Sequence, residues 1–156
     1  MNTKGNKRHQ ETIQRVYATF AELLREQELN KLSVTALCEA ANIDRSTFYA
    51  NFEDISALAN TYSSEIEKQV AAQPHLEGEF AWIFEYILEN KDLFLVYFKL
   101  GISHTATDYK TIFFRNGIYS VAKLWFEDGC KESPSKMGEI IKREHEKMFS
   151  KLENSQ

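Results

Sequence analysis

Cysteine, proline and glycine are all scarce in this chain of 156 residues, which has 2 Cys, 2 Pro and 6 Gly. Cys38 and Cys130 stand too far apart, and are too few, for a disulfide framework or a zinc site. Both read as buried or half-buried thiols of a reducing cytoplasm, so a cytoplasmic location is expected. Few Gly and Pro argue against an all-β chain, which needs a tight turn about every ten residues. No apolar run approaches the ~18 residues that span a bilayer, so no membrane partner is expected. The basic start, with Lys4, Lys7 and Arg8, has no apolar stretch behind it and does not read as a secretory signal. Histidines 9, 75, 104 and 145 have no second His one helical turn on, and no metal is expected. Glu144-His145-Glu146 reads as a solvated helix face. No nucleophile motif, phosphate-binding glycine loop or isolated carboxylate pair is present. Hence no catalytic residue and no cofactor is assigned, and an enzyme has no support.

What the chain does have is apolar mass. Apolar residues make up 43% and charged residues 27%, enough for a packed core. Aromatics reach 13%, and most of the 11 Phe lie beyond residue 79. The net charge of −4 would ordinarily argue against a nucleic-acid partner. It is unevenly spread: residues 1–52 hold 7 basic and 6 acidic side chains, while residues 53–156 hold 12 and 17. The negative balance therefore belongs to the second, larger part of the chain.

The apolar periodicity is helical almost throughout, which predicts an all-α fold. A first helix from about Gln10 to Glu26 gathers Ile13, Val16, Tyr17, Phe20, Leu23 and Leu24 on one stripe. Ser33 can cap a short second helix, and Asn42 tolerates the left-handed turn that would follow it. Asp44 can cap a third, short helix to about Asn51, and Asp54 a longer fourth. Pro74 marks a loop. Further helices are expected from Phe80 to Leu88, from Leu93 to Leu100 and from Tyr109 to Asp128, where Gly129 stops the last of these. A final helix starts at Ser133-Pro134, with Ser as cap and Pro in the first helical position.

The informative stretch is Leu32 to Leu58, LSVTALCEAANIDRSTFYANFEDISAL. Two short helices joined by Asn42-Ile43-Asp44 have the proportions of a helix-turn-helix. Ala40 and Ala41 allow close backbone approach, Ile43 plugs the angle, and Phe48 anchors the second helix to the first. The outer face then carries Arg45, Ser46, Thr47, Tyr49, Ala50 and Asn51. Guanidinium, hydroxyl and amide groups of this kind read base edges and hold phosphates in a major groove.

Residues from about Gln10 to Leu58 resemble the DNA-binding head of the tetracycline-repressor (TetR/AcrR) family of bacterial transcriptional regulators. The resemblance rests on a long first helix, a Thr-bearing start to the second, its small-residue end, and Phe48-Tyr49-Ala50-Asn51-Phe52 followed by an acidic cap. It implies that Arg45, Ser46 and Thr47 face bases or adjoining phosphates, and that Tyr49 gives its hydroxyl to a phosphate. Asn51 stands where the family often has a phosphate-contacting His. Ser33 and Thr35 would meet the DNA backbone with help from the helix dipole. Lys7 and Arg8 would reach phosphates from a basic arm. Three residues depart from the family pattern: Asn42 in place of the commonest Gly, Asp44 in place of Ser or Thr, and Ile55 in place of a phosphate-contacting Lys.

The resemblance implies two domains: a three-helix DNA-binding head over 1–54, and a helical dimerisation and effector-binding body over 55–156. Trp125-Phe126-Glu127-Asp128-Gly129 and Ser133-Pro134 resemble the family's final helix pair, which forms a four-helix bundle with a second copy. Apolar residues on more than one face of the helix from Tyr109 point the same way. Ile118, Val121, Trp125, Met137, Ile141 and Met148 are the candidate dimer interface. Trp82, Tyr86, Tyr97, Phe98 and Phe113 are candidates to line an effector pocket, although aromatics at helical spacing also make plain core. The expected partners are a double-stranded DNA operator, a second copy of the chain and a small-molecule effector of unspecified identity. The expected function is a homodimeric repressor on a pseudo-palindromic operator. The alternative is a coregulator of the same type that has lost most DNA affinity and acts through protein contacts.

Overall fold

The computed structural model describes residues 3–75, 78–102 and 109–153, and side chains within 7–75, 78–102 and 112–147. All regular structure among the described residues is helical, so the chain is all-α. The helices are α1 (Thr3–Glu26), α2 (Val34–Ala41), α3 (Arg45–Tyr49), α4 (Ile55–Ala71), α5 (Ala81–Glu89), α6 (Lys91–Leu100), α7 (Tyr109–Glu127) and α8 (Pro134–Glu153), with a 3-10 turn at Leu29–Lys31. Two compact units divide the chain: Met1–Ile66 with Leu95–His104, and Glu67–Phe94 with Thr105–Gln156.

In the first unit, α1 starts at Thr3 rather than near Gln10, so Lys7 and Arg8 stand on helical backbone and not on an extended arm. Its inner stripe places Val16, Phe20 and Leu24 almost wholly out of solvent. They pack in one cluster with Leu37 and Cys38 of α2, Phe48 of α3, Phe52, and Leu58 of α4. Each fully buried Leu or Phe contributes about 1.5–3 kcal/mol, which is what holds a helix as short as α3 in place. The last carbonyls of α1 find a cation: the Lys99 ammonium donates to the Leu24 carbonyl at 2.7 Å and lies 3.8 Å from the Glu28 carboxylate.

Caps fix the ends of the short helices. The Ser33 hydroxyl accepts from the Ala36 amide at 3.1 Å, and the Asp54 carboxylate from the Ala57 amide at 2.7 Å. Asn42 ends α2 in the left-handed region at φ 50°, and the Ile43 amide reaches back to the Cys38 carbonyl at 3.0 Å. Asp44 occupies the capping position of α3 with extended backbone, but its carboxylate makes no capping bond. The sequence expectation holds for its position and fails for its hydrogen bond.

The second unit is organised around α5 against α8. At Gly138 a Cβ would lie 2.5 Å from the Ala81 backbone nitrogen and 2.7 Å from its Cα, so only glycine permits this approach. Phe84 and Ile87 of α5 are buried, as are Ala122 and Trp125 of α7 and Met137 and Ile141 of α8. The Phe84 ring meets the Trp125 indole edge-on at 5.1 Å. After α7, the Cys130 amide bonds back to the Trp125 carbonyl at 2.9 Å, while the Trp125 indole N–H donates to the Glu132 carbonyl at 3.0 Å. Ser133 and Pro134 then open α8 as expected, with the Lys136 amide donating to the Ser133 hydroxyl at 3.3 Å.

Candidate nucleic-acid interface

The left-handed Asn42 turns the chain sharply, and Phe48, 1% exposed, pins α3 to the core by its inner side. The opposite side of α3 therefore faces solvent, since residues three and four apart share one face. Arg45, Ser46, Tyr49 and Ala50 are exposed there, and Thr47 and Asn51 are half-buried at its edge. Tyr49 is 49% exposed although its ring packs edge-on against Phe48 at 5.5 Å. Arg45 bends over that ring: its guanidinium carbon lies 5.8 Å from the centroid and Nη2 lies 3.4 Å from the Tyr49 hydroxyl. This contact raises the pKa of the Arg45 guanidinium.

Thr35 on α2 is exposed and lines an open groove together with Glu39, Asn42, Asp44 and Arg45. Cys38 lies at its floor, buried, and that burial pushes its thiol pKa up despite the nearby Arg45. Ser33 is exposed, with its oxygen already accepting from Ala36 and its hydroxyl proton left to donate. Asn51 turns its amide nitrogen back to the Thr47 carbonyl at 2.8 Å, so part of its donor capacity is spent on its own helix. Lys7 and Arg8 are exposed on α1, where Lys7 lies 4.0 Å from Glu11. Thus Thr35, Arg45, Ser46 and Tyr49 share a contiguous exposed setting on α2 and α3, while Lys7 and Arg8 stand on a separate element.

Charge on this stretch is the feature the whole-head sum hides. Between residues 32 and 58 Arg45 is the one cation, against Glu39, Asp44, Glu53 and Asp54, and all five side chains are exposed. Ile55 is half-buried and packs against the core cluster of the first unit.

The remaining candidates divide as follows. Trp125, Met137 and Ile141 are buried within the chain itself, and Ile118 and Val121 are half-buried. Met148 lies outside the residues whose side chains are described. The large apolar side chains that α7 leaves to solvent are Phe113, 66% exposed, and Leu124, 68% exposed. Phe113, Gly117, Ser120 and Leu124 lie on one side of α7 by their spacing. Of the pocket candidates, Tyr97 and Phe98 are buried and belong to the first unit. Trp82, Tyr86 and Phe113 belong to the second. Trp82 stacks on His75 at 4.4 Å, and Tyr86 meets Phe94 edge-on at 5.9 Å. His145 is not on a fully solvated face: it is half-buried, with its ring 4.8 Å from Phe114 and 5.6 Å from Phe80.

Among the described residues no group of His, Cys, Asp or Glu is arranged to hold a metal, and no helix is long and apolar enough to cross a membrane. No protein-family model, curated protein or solved structure matches the chain.

Proposed function

We propose that the chain is a DNA-binding transcription regulator of the tetracycline-repressor type. It acts as a homodimeric repressor on a pseudo-palindromic operator, and an effector bound to the body releases it. The observation that carries this reading is the exposed side of α3. A left-handed turn at Asn42 and the Phe48 anchor present Arg45, Ser46 and Tyr49 together on a helix whose other side is core. Those groups supply a guanidinium fork and two hydroxyls, the donors that base edges and phosphates accept. Thr35 and Ser33, on and just before the first turn of α2, add hydroxyls suited to the DNA backbone.

Dimerisation would cover Phe113 and Leu124, the two large apolar side chains that α7 leaves exposed. It also sets two recognition helices about one helical turn of DNA apart, which is why the operator is an inverted repeat. Release follows from linkage: an effector that favours one arrangement of the dimer over another lowers operator affinity by its differential affinity for the two. The experiment is selection from randomised double-stranded DNA with the purified full chain, which should enrich an inverted repeat.

A second reading has its own observation. Net charge between residues 32 and 58 is negative, and Ile55 is spent on the core where the family places a phosphate-contacting Lys. A coregulator that acts through protein contacts would carry such a head. Failure to enrich any sequence, with a folded dimer, favours it.

A further inference from the structure

Phosphate grip and base readout make opposite demands on charge. A phosphate contact made by a cation releases a counterion. Around Arg45 the balance is reversed: Glu39 and Asp44 line the same open groove, and Glu53 and Asp54 follow on the exposed chain beyond α3. The Asp44 carboxylate makes no capping bond. A phosphate drawn to Arg45 would enter the groove that the Glu39 and Asp44 carboxylates also line. A base edge carries no net charge and escapes that repulsion.

The guanidinium offers donors only, in a rigid fork. In the major groove, guanine presents two adjacent acceptors, O6 and N7, that match the fork. Arg45 is also partly ordered before it binds. The Tyr49 ring lies beneath it at 5.8 Å and the Tyr49 hydroxyl stands 3.4 Å from Nη2. Ordering a long side chain in advance lowers the entropy lost on binding.

We infer that Arg45 is a specificity residue that reads the guanine of a G·C pair in the major groove, and that Tyr49 is its positioning residue. The inference rests on the DNA-binding reading above and goes beyond it by naming the base. The carboxylates of Glu39 and Asp44 make the site selective by excluding phosphate from Arg45.

The test begins with the half-site that selection returns and combines two perturbations. One is 7-deazaguanine, which replaces the N7 acceptor by C–H, and the other is R45A. At one guanine per half-site, wild type should discriminate against other bases by about 5- to 150-fold. The 7-deaza substitution there should weaken wild type and cost R45A nothing further. R45A should relax preference at that position alone and leave the salt slope unchanged. Y49A should narrow discrimination at the same position, and Y49F should restore most of that discrimination because the ring remains. Two results overturn the inference and leave the DNA-binding reading standing. One is that R45A weakens every sequence equally and shallows the salt slope by about 0.9 per subunit, as loss of a phosphate contact in each would. The other is that no guanine shares a penalty with R45A. Enrichment of no sequence at all removes the reading and the inference together.

Discussion

The first unit shows solvent a short, polar helix, α3, while the second shows it two large apolar side chains on a long helix, α7. Behind those surfaces both units bury aromatic rings: Phe20, Phe48 and Phe52 in one, Phe84 and Trp125 in the other. The difference lies in how direction is set. α3 has only five residues, too few to stand alone, so Asn42 and Phe48 dictate which side faces out. α7 has nineteen residues with apolar groups on more than one side, so its outward face is decided by what packs against it. A surface aimed by local chemistry suits a contact whose geometry must be fixed in advance. A surface left over after packing suits association with another apolar face.

The largest expected effect strikes the anchor of the first surface. Phe48→Ala should cost about 3–5 kcal/mol, read as a shift in the urea midpoint, because the ring is fully buried. An unchanged midpoint would mean that α3 is not aimed by its core contact. In the second unit, Gly138→Ala forces a methyl against the Ala81 backbone and should cost about 1–3 kcal/mol in the thermal melt. Gly117→Ala, where a Cβ meets nothing within 4 Å, should instead stabilise α7 by about 0.5–1 kcal/mol. Equal responses of the two glycines would erase the distinction between packed and free sides of that unit.

Leu124→Glu tests the leftover surface. Sedimentation should show loss of self-association while helicity by circular dichroism stays the same, since the side chain is 68% exposed. A change in helicity with association intact would place Leu124 in the monomer's own packing. The smallest effect concerns pH. In the first unit, burial raises the pKa of Tyr17 and Tyr62 above 10.0 and of Cys38 above 9.0. A raised folded pKa means that the unfolded chain loses these protons first. Their contribution to stability is therefore complete below the ordinary thiol and phenol values and is lost as pH climbs through the folded ones. Thermal melts should drop between neutral pH and about pH 10–11. A melt that is flat or rising over that range would contradict the burial of these groups.

Where local chemistry decides, the sequence could be read closely. Ser33, Asp54, Ser133 with Pro134, the left-handed Asn42 and the stop at Gly129 all do in the fold what their chemistry suggests. A cap needs only its own helix, so its reasons are contained in a few residues. Where neighbours decide, the sequence was silent. Apolar residues on more than one face of the helix from Tyr109 marked a surplus but could not say that the Phe113 ring in particular would stay in solvent. It likewise could not show that Trp125, Met137 and Ile141 would be covered by their own chain, or that His145 would sit against Phe80 and Phe114. Lys7 and Arg8 read as an arm because no apolar stripe marks the first turns of α1, yet helical backbone continues to Thr3. In the candidate site, the residues of α3 could be grouped from spacing alone. The stacking of Arg45 on Tyr49, and the carboxylates that share its groove, required the folded chain.

The central claim is that the exposed side of α3 reads double-stranded DNA as one half of a symmetric pair. Selection from randomised DNA by the purified full chain tests it most directly. The expected result is an inverted repeat whose half-site centres lie about one helical turn, 10–10.5 base pairs, or a multiple of that apart. With Arg45→Ala the repeat should persist but lose its preference at one base of each half-site. A folded, dimeric protein that enriches no sequence would contradict it.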